Sequence, residues 1–251
     1  MSAGEEELRR FAAARMKVLT PEHPDRRGIG MQSEKTLHSI LKYYIEPDES
    51  FHEQPVGRYI ADIKNEAGIT EVQTASYGYL RGKLSVFLKD YPVTVVCPVV
   101  HVKHIQWIDP ESGEWLKRNR SPVTGSVFTA FTELYRIRPF LKDPGLTVRV
   151  ILMDMEEYRI ADGYAREGKK GSHRFDCVPG ALISDTRLRT PEDYRRLIPD
   201  SLPEEFTSAD FAAHCRVRKG ESGTALLILT DLGAVRRIGK KGRNYLYQRS
   251  T

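Results

Sequence analysis

The sequence predicts a mixed α/β (α+β) protein. Three observations lead there: residues 33–99 read in the order helix, three short strands, helix, buried strand; residues 205–249 read as two helices and a basic hairpin; and no stretch is apolar for long enough to cross a membrane. The chain has 251 residues, 40% of them hydrophobic and 29% charged, which suffices for a sizeable core and excludes a disordered tail or a fibre. Its longest apolar run, Tyr91 to Val100, is about half of the roughly 20 residues a bilayer demands, and Pro92 and Pro98 interrupt it. The amino terminus opens on acids with no apolar region behind them, so a secretory signal is not expected and a cytoplasmic protein is. Cys97, Cys177 and Cys215 form no CxxC pair, which fits a reducing compartment and argues against a cysteine zinc site.

Taken in order, residues 5–19 carry apolar side chains at helical spacing, and the Pro- and Gly-broken stretch to residue 30 is a linker. A second helix is expected over 33–46, where Ser33 can cap the start and Leu37, Ile40, Leu41 and Tyr44 make one stripe before Pro47 ends it. Strands follow at 51–57, 58–64 and 69–75, the last two joined as a hairpin by Asn65-Glu66-Ala67-Gly68. Residues 77–91 read as a helix, 93–99 as a buried strand, and 104–109 with 114–118 as another hairpin. A helix near 127–135 and a strand at 146–153 come next; residues 161–180 show no usable period and read as an irregular connection. Short helices are expected at 191–197, from Thr207 to about Val217, and from Gly223 to Leu232, with Gly233 closing the last. The resulting division is an N-terminal helix and linker (1–30), an α/β domain (31–160), a connecting segment (161–200) and a small C-terminal domain (201–251).

The first hairpin concentrates charge. Closure over residues 65–68 sets Lys64 opposite Ile69 and Asp62 opposite Glu71, and period-two alternation puts Ile60, Asp62 and Lys64 on one face with Ile69, Glu71 and Gln73. Two carboxylates roughly 5 Å apart repel by about 3 kcal/mol at an effective dielectric of about 20. A divalent cation removes that cost, and Mg²⁺, or Mn²⁺, accepts one or two carboxylates while keeping waters. A metal held there can polarise a phosphate and activate water.

These residues resemble the PD-(D/E)XK phosphodiesterase superfamily, whose core is restriction-endonuclease-like. Glu34 on the helix, Asp62, and Glu71-Val72-Gln73, in the order αβββαβ over about residues 31–100, carry the likeness. The resemblance implies that Asp62 and Glu71 bind the metal with the carbonyl of Val72, and that Glu34 assists. Where the pattern has lysine this chain has Gln73, so Lys83 on the next helix or Lys64 on the same strand face is the substitute the resemblance suggests. Tyr77, four residues after Gln73, echoes a QxxxY element of some exonuclease-like members. The strings GIGMQSEKTLH, ADI and EVQT also resemble a family of uncharacterised bacterial proteins. His52, His101 and His104 lack metal-ligand spacing, with a general-base role for His52 ranking below the acidic pair.

The formal charge of +5 is unevenly placed. The last 18 residues carry Arg236, Arg237, Lys240, Lys241, Arg243 and Arg249 with no acid, leaving 33 cations against 34 acids elsewhere. Residues 205–249 resemble a winged helix, in which the second helix enters the major groove and the wing reaches phosphates. The second helix here, 221–232, has acids and no Lys or Arg, with Leu226, Leu229 and Leu232 expected inward and Ser222, Gly223, Thr224 and Ile228 outward. The wing instead gathers Arg236, Arg237, Lys240, Lys241 and Arg243 beside Tyr245 and Tyr247, a composition suited to salt-dependent backbone contact with DNA. Lys169, Lys170, His173 and Arg174 form a second basic stretch. The leading expectation is a Mg²⁺-dependent DNA phosphodiesterase gripping its substrate with a basic wing. A non-catalytic DNA-binding regulator on a nuclease-like scaffold, and a protein-interaction module whose wing docks an acidic partner, are the alternatives; a homodimer is compatible with each.

Overall fold

The computed structural model describes residues 2–20, 32–163 and 171–250, with side chains described at 2–20, 36–162 and 177–250. The chain is a mixed α+β protein whose contacts divide it into two compact units, each assembled from three stretches. One unit takes Met1–Ser50, Val100–Thr124 and Leu152–Asp185; the other takes Phe51–Val99, Gly125–Ile151 and Thr186–Thr251. Seven strands hydrogen-bond in the order β1-β2-β3-β4-β6-β7 with β5 on β4, and β8-β10-β9 form a separate three-stranded sheet. Among the described residues no helix is long and apolar enough to cross a membrane.

In the first unit, α1 (Glu5–Leu19) and α2 (Gln32–Ile45) pack through the stripes their periodicity predicts. Phe11, Ala14 and Val18 are buried on α1, Ile40, Leu41 and Tyr44 on α2, and the Phe11 and Tyr44 rings meet edge-on at 5.4 Å. The Tyr44 hydroxyl donates to Asp185 at 2.6 Å. The same unit holds the distal part of β4 (Val93–Ile108), β5 (Trp115–Thr124), and parts of β6 (Leu146–Gly163) and β7 (Gly171–Leu188). The β4–β5 turn is fastened by the Asp109 carboxylate, which accepts the N–H groups of Glu111 and Ser112, each at 2.9 Å. Glu157 is fully buried on β6; burial alone would raise its pKa, but Lys103 at 2.8 Å and Arg159 at 2.6 Å outweigh burial and hold it below the usual carboxylate range.

The second unit begins with β1 (His52–Val56), β2 (Tyr59–Asn65) and β3 (Gly68–Val72), joined by two-residue turns that pair Val56 with Tyr59 and Asn65 with Gly68. Strand β3 then lies parallel to the start of β4, with Ile69 opposite Val93 and Val72 opposite Val96, so the connection runs through α3 (Leu80–Phe87) as a crossover. Leu80, Leu84 and Phe87 bury the inner face of α3. After α4 (Phe131–Leu134) come α5 (Pro191–Arg195), β8 (Glu205–Thr207), α6 (Ser208–His214), α7 (Lys219–Asp231), β9 (Val235–Lys241) and β10 (Asn244–Arg249). Thr190 with Asp193 and Thr207 with Asp210 form reciprocal capping boxes, and Gly233, at φ +74°, closes α7. Phe128 joins these helices to the α4 segment by meeting Phe131 at 5.4 Å and Phe211 at 5.0 Å.

Several expected boundaries are corrected. The buried strand at 93–99 and the hairpin strand at 104–109 are one strand, β4, which pairs parallel to β3 over Val93–Val96 and antiparallel to β5 over Val102–Ile108. The helix over 77–91 is a 3-10 turn, Tyr77–Tyr79, followed by α3 alone. Residues 171–180 are strand, not an irregular connection: they belong to β7, whose hydrogen-bonding groups are met by β6, a long-range partner that local periodicity cannot reveal. Residues 164–170, including Lys169 and Lys170, lie outside the described residues, as do the side chains of Ser33, Glu34, His173 and Arg174. The helix begun at Thr207 ends at His214 rather than near Val217, where Arg216 enters the left-handed region at φ +52°.

Gly68 fixes the entry to β3. Its φ is +119°, and a Cβ there would stand 2.3 Å from the Pro92 carbonyl oxygen, a backbone atom that cannot step aside. Gly68→Ala is therefore expected to destabilise the protein by at least about 2 kcal/mol, through strain together with steric conflict. Equilibrium urea unfolding checks this, and an unchanged midpoint would refute the role given to the Gly68–Pro92 approach.

Candidate metal centre and nucleic-acid interface

The hairpin register is the expected one over its paired residues, with Lys64 opposite Ile69 and Ile63 opposite Thr70; Asp62 and Glu71 are the next residues along the two strands. Asp62 uses its carboxylate to accept the Val72 N–H at 2.7 Å, holding the end of β3. Glu71 is only 2% exposed. From α3, Lys83 reaches down with its ammonium 2.7 Å from Glu71 Oε2 and 2.8 Å from the Ile60 carbonyl. The second carboxylate oxygen, Glu71 Oε1, is buried with no hydrogen-bond partner. Burial, followed by the neighbouring Asp62 charge, pushes the Glu71 pKa up to about 7 even though Lys83 and the Asp62 backbone pull it down.

This arrangement fits a small hard cation. An orphaned, buried carboxylate oxygen beside a second carboxylate is a costly feature that an ion would satisfy. Among the described residues no group of three or more His, Cys, Asp or Glu side chains is arranged to hold a metal. Protein ligation would therefore come from Asp62 and Glu71, with water, substrate oxygen or a backbone carbonyl completing the shell as Mg²⁺ allows. The structured contribution of Val72 is its N–H to Asp62.

The remaining sequence-chosen residues separate. Lys64 shares the hairpin but stacks on the Tyr91 ring at 4.9 Å, so Lys83 is the lysine beside the acids. Gln73 lies just past β3 and turns its carboxamide to the Ala75 carbonyl. Tyr77 is buried and donates to the Gln73 carbonyl at 2.8 Å, fixing that turn. Glu34 belongs to α2. His101 meets Asp154 at 3.0 Å, His52 stands opposite Ile63 and His104 opposite Arg120, so the three serve separate places in the sheet. Sequence reasoning passed over Tyr79, Glu133 and Arg136, which with Ser76 and Gly78 line a cleft of about 440 Å³; the only local signal was that Tyr79 precedes Lys83 by one helical turn.

The C-terminal hairpin closes through Gly242 at φ +62°, with Lys241 opposite Asn244. Arg237 at 4.3 Å and Lys240 at 5.4 Å flank the exposed Tyr245 ring, which pre-orders two cations at the tip. Arg236 donates to Gln248 at 2.6 Å, and the charge of Lys241 helps hold Asp210 below its ordinary pKa after the backbone and side-chain hydrogen bonds of Thr207. Arg249 belongs to the packing: it binds Asp200 at 3.1 Å and the Pro199 carbonyl at 2.6 Å. The helix before this hairpin differs from expectation. Ser222 and Ile228 are fully buried, since α7 is covered on more than one side, and only Gly223 and Leu227 in that stretch are exposed. It begins at Lys219, and its other end is tied to Arg138 by Asp231.

Residues 35–189 match the model of a domain of unknown function, DUF8091, and the chain belongs to that family. A relative from Treponema pallidum (strain Nichols), an uncharacterized protein, is 29% identical over 222 residues, covering 86% of this chain and 85% of the relative. No solved structure matches the chain.

The raised Glu71 pKa has a thermodynamic sign. The stability contributed by the bound proton is complete below about 4.5, the free value, and is lost as pH rises through about 7. In EDTA at pH 8, Glu71→Gln should be more stable than the parent by about 1–3 kcal/mol, with the difference shrinking toward pH 5. Mg²⁺ should stabilise the parent at pH 8 and leave the Gln variant unmoved. Thermal melts at the two pH values, with and without Mg²⁺, read both effects; a parent indifferent to Mg²⁺ would count against the metal site.

Proposed function

We propose that this protein is a Mg²⁺-dependent phosphodiesterase acting on nucleic acid, with a restriction-endonuclease-like core and a winged-helix element. The observation that carries the reading is the Lys83 ammonium 2.7 Å from Glu71, beside Asp62. The lysine absent at Gln73 is thereby supplied from α3, so two acids and one cation meet despite the substitution. The αβββαβ order, with β3 parallel to β4 around α3, and the β8-α6-α7-β9-β10 order support the two fold assignments.

Asp62 and Glu71 would hold the metal, which would supply Lewis-acid polarisation of the phosphate and a more acidic water. Lys83 places a positive charge where the phosphorane gains negative charge, and its second bond to the Ile60 carbonyl fixes its position. Asp62 is itself oriented by the Val72 N–H. Gln73, bonded within its own turn, has no part in proton transfer. The wing holds the phosphate backbone through Arg237, Lys240 and Arg243, with Arg236 and Lys241 adding charge, while the buried α7 reads no bases.

Asp62→Ala and Glu71→Ala are each expected to abolish Mg²⁺- or Mn²⁺-dependent cleavage of a labelled DNA, and Lys83→Ala to slow it by about 10²–10³. Cleavage surviving both acid substitutions would defeat the assignment. DNA binding that persists with no product in either metal, with the parent as with the variants, would select a non-catalytic binding role.

For the wing, replacing Arg237, Lys240 and Arg243 together by Ala should weaken DNA binding equally across sequences and lower the slope of log K against log salt by about 3. Fluorescence anisotropy over a salt series measures the slope; no DNA affinity for the parent at low salt would favour an acidic protein partner instead.

A further inference from the structure

The cleft lined by Ser76, Gly78, Tyr79, Glu133 and Arg136 belongs to the same unit as the carboxylate pair, and its volume of about 440 Å³ lies in the range of small-molecule sites. Tyr79 is 86% exposed at the head of the segment that carries Lys83. Tyr79 lies four positions before Lys83, about one helical turn along the chain from the lysine at the acids. Glu133 and Arg136, also lining the cleft, form an ion pair at 3.7 Å with side chains 40% and 63% exposed. The distance is beyond hydrogen-bond reach, and Glu133 Oε2 is itself buried without a hydrogen bond, so the exposed rest of that side chain and the guanidinium are what a ligand meets. An exposed ring and a loosely held ion pair thus line one concavity.

Resting on the phosphodiesterase reading, we infer that this cleft is a nucleotide subsite taking one unpaired nucleotide of the strand to be cut. Tyr79 stacks on the base, Glu133 accepts from an exocyclic amino group, and Arg136 neutralises an adjacent phosphate. Adenine, cytosine and guanine carry that amino group; thymine does not. A base within a duplex has both faces stacked and its pairing edge occupied, so it cannot enter without leaving the helix. The substrate class is accordingly single-stranded or frayed nucleic acid, with the wing gripping the backbone beyond the site.

The test uses the full chain in EDTA, so that binding is read without cleavage. Anisotropy is measured with labelled oligo(dA), oligo(dC) and oligo(dT) and a blunt duplex, with deoxyadenosine monophosphate as competitor. Single strands should bind more tightly than the duplex; Tyr79→Ala should weaken single-strand binding about tenfold and Tyr79→Phe should restore it. Glu133→Gln should weaken oligo(dA) and oligo(dC) while leaving oligo(dT) unchanged. Single-strand binding indifferent to Tyr79→Ala and Glu133→Gln, or a mononucleotide that binds as tightly as the oligomers, would overturn the subsite. The two readings fail separately. Loss of binding in the Tyr79 and Glu133 variants of a protein that never cleaves leaves the subsite standing and removes the hydrolase, whereas Mg²⁺-dependent cleavage unaffected by either variant removes the subsite alone.

Discussion

A carboxylate buried next to another carboxylate is the constraint around which the second unit is arranged. Glu71 sits in the parallel β3–β4 core with 2% exposure, where an ionised side chain is expensive, and Asp62 on the adjoining strand makes it more so. Lys83 is the group that limits this cost, and it can do so only because the crossover from β3 to β4 lays α3 against the strands at that level. The lysine covers one Glu71 oxygen and leaves the other without a partner. Such a group costs stability, and the proposed metal site rests on it.

The basic hairpin solves a different electrostatic problem. Its cations do not pair chiefly with acids; Arg237 and Lys240 share one tyrosine ring, an arrangement that orders the charges while leaving them available to a polyanion. The preceding helices serve as a base for it. Thr207 and Asp210 cap α6, Phe206 and Tyr247 stack at 6.1 Å, and Arg249 is locked against Asp200 and two backbone carbonyls. Together with the burial of Ser222 and Ile228, this makes the hairpin, rather than α7, the exposed basic element.

Much of the local structure was legible because its signals are short-range. The Asn65–Gly68 turn specifies the register that sets Lys64 against Ile69 and Ile63 against Thr70, and that register is a matter of counting once the turn is recognised. The helix start at Thr207 and the glycine at 233 mark helix ends in the same way. What failed was contact at a distance. Residues 171–180 become strand because β6 is available to pair with them, and residues 93–108 become one strand because two different partners succeed each other along it. Ser222 was expected outward from a single helical stripe, but α7 is covered on more than one side and its small hydroxyl satisfies itself on the Lys219 carbonyl at 2.8 Å.

For the site, the amino-acid sequence by itself singled out the two acids and the hairpin register that brings them onto neighbouring strands, since period-two alternation follows from the turn at Asn65–Gly68. It also determined where the excess positive charge lies. Only the tertiary structure decided between Lys83 and Lys64, because the choice depends on which stem can reach Glu71 across the crossover and which is drawn to the Tyr91 ring. Only the tertiary structure placed Tyr79, Glu133 and Arg136 around one cleft, as the α4 segment comes to the head of α3 from more than fifty residues away. Backbone periodicity acts over a few residues, whereas the position of a helix against a sheet is set by packing that no local pattern contains.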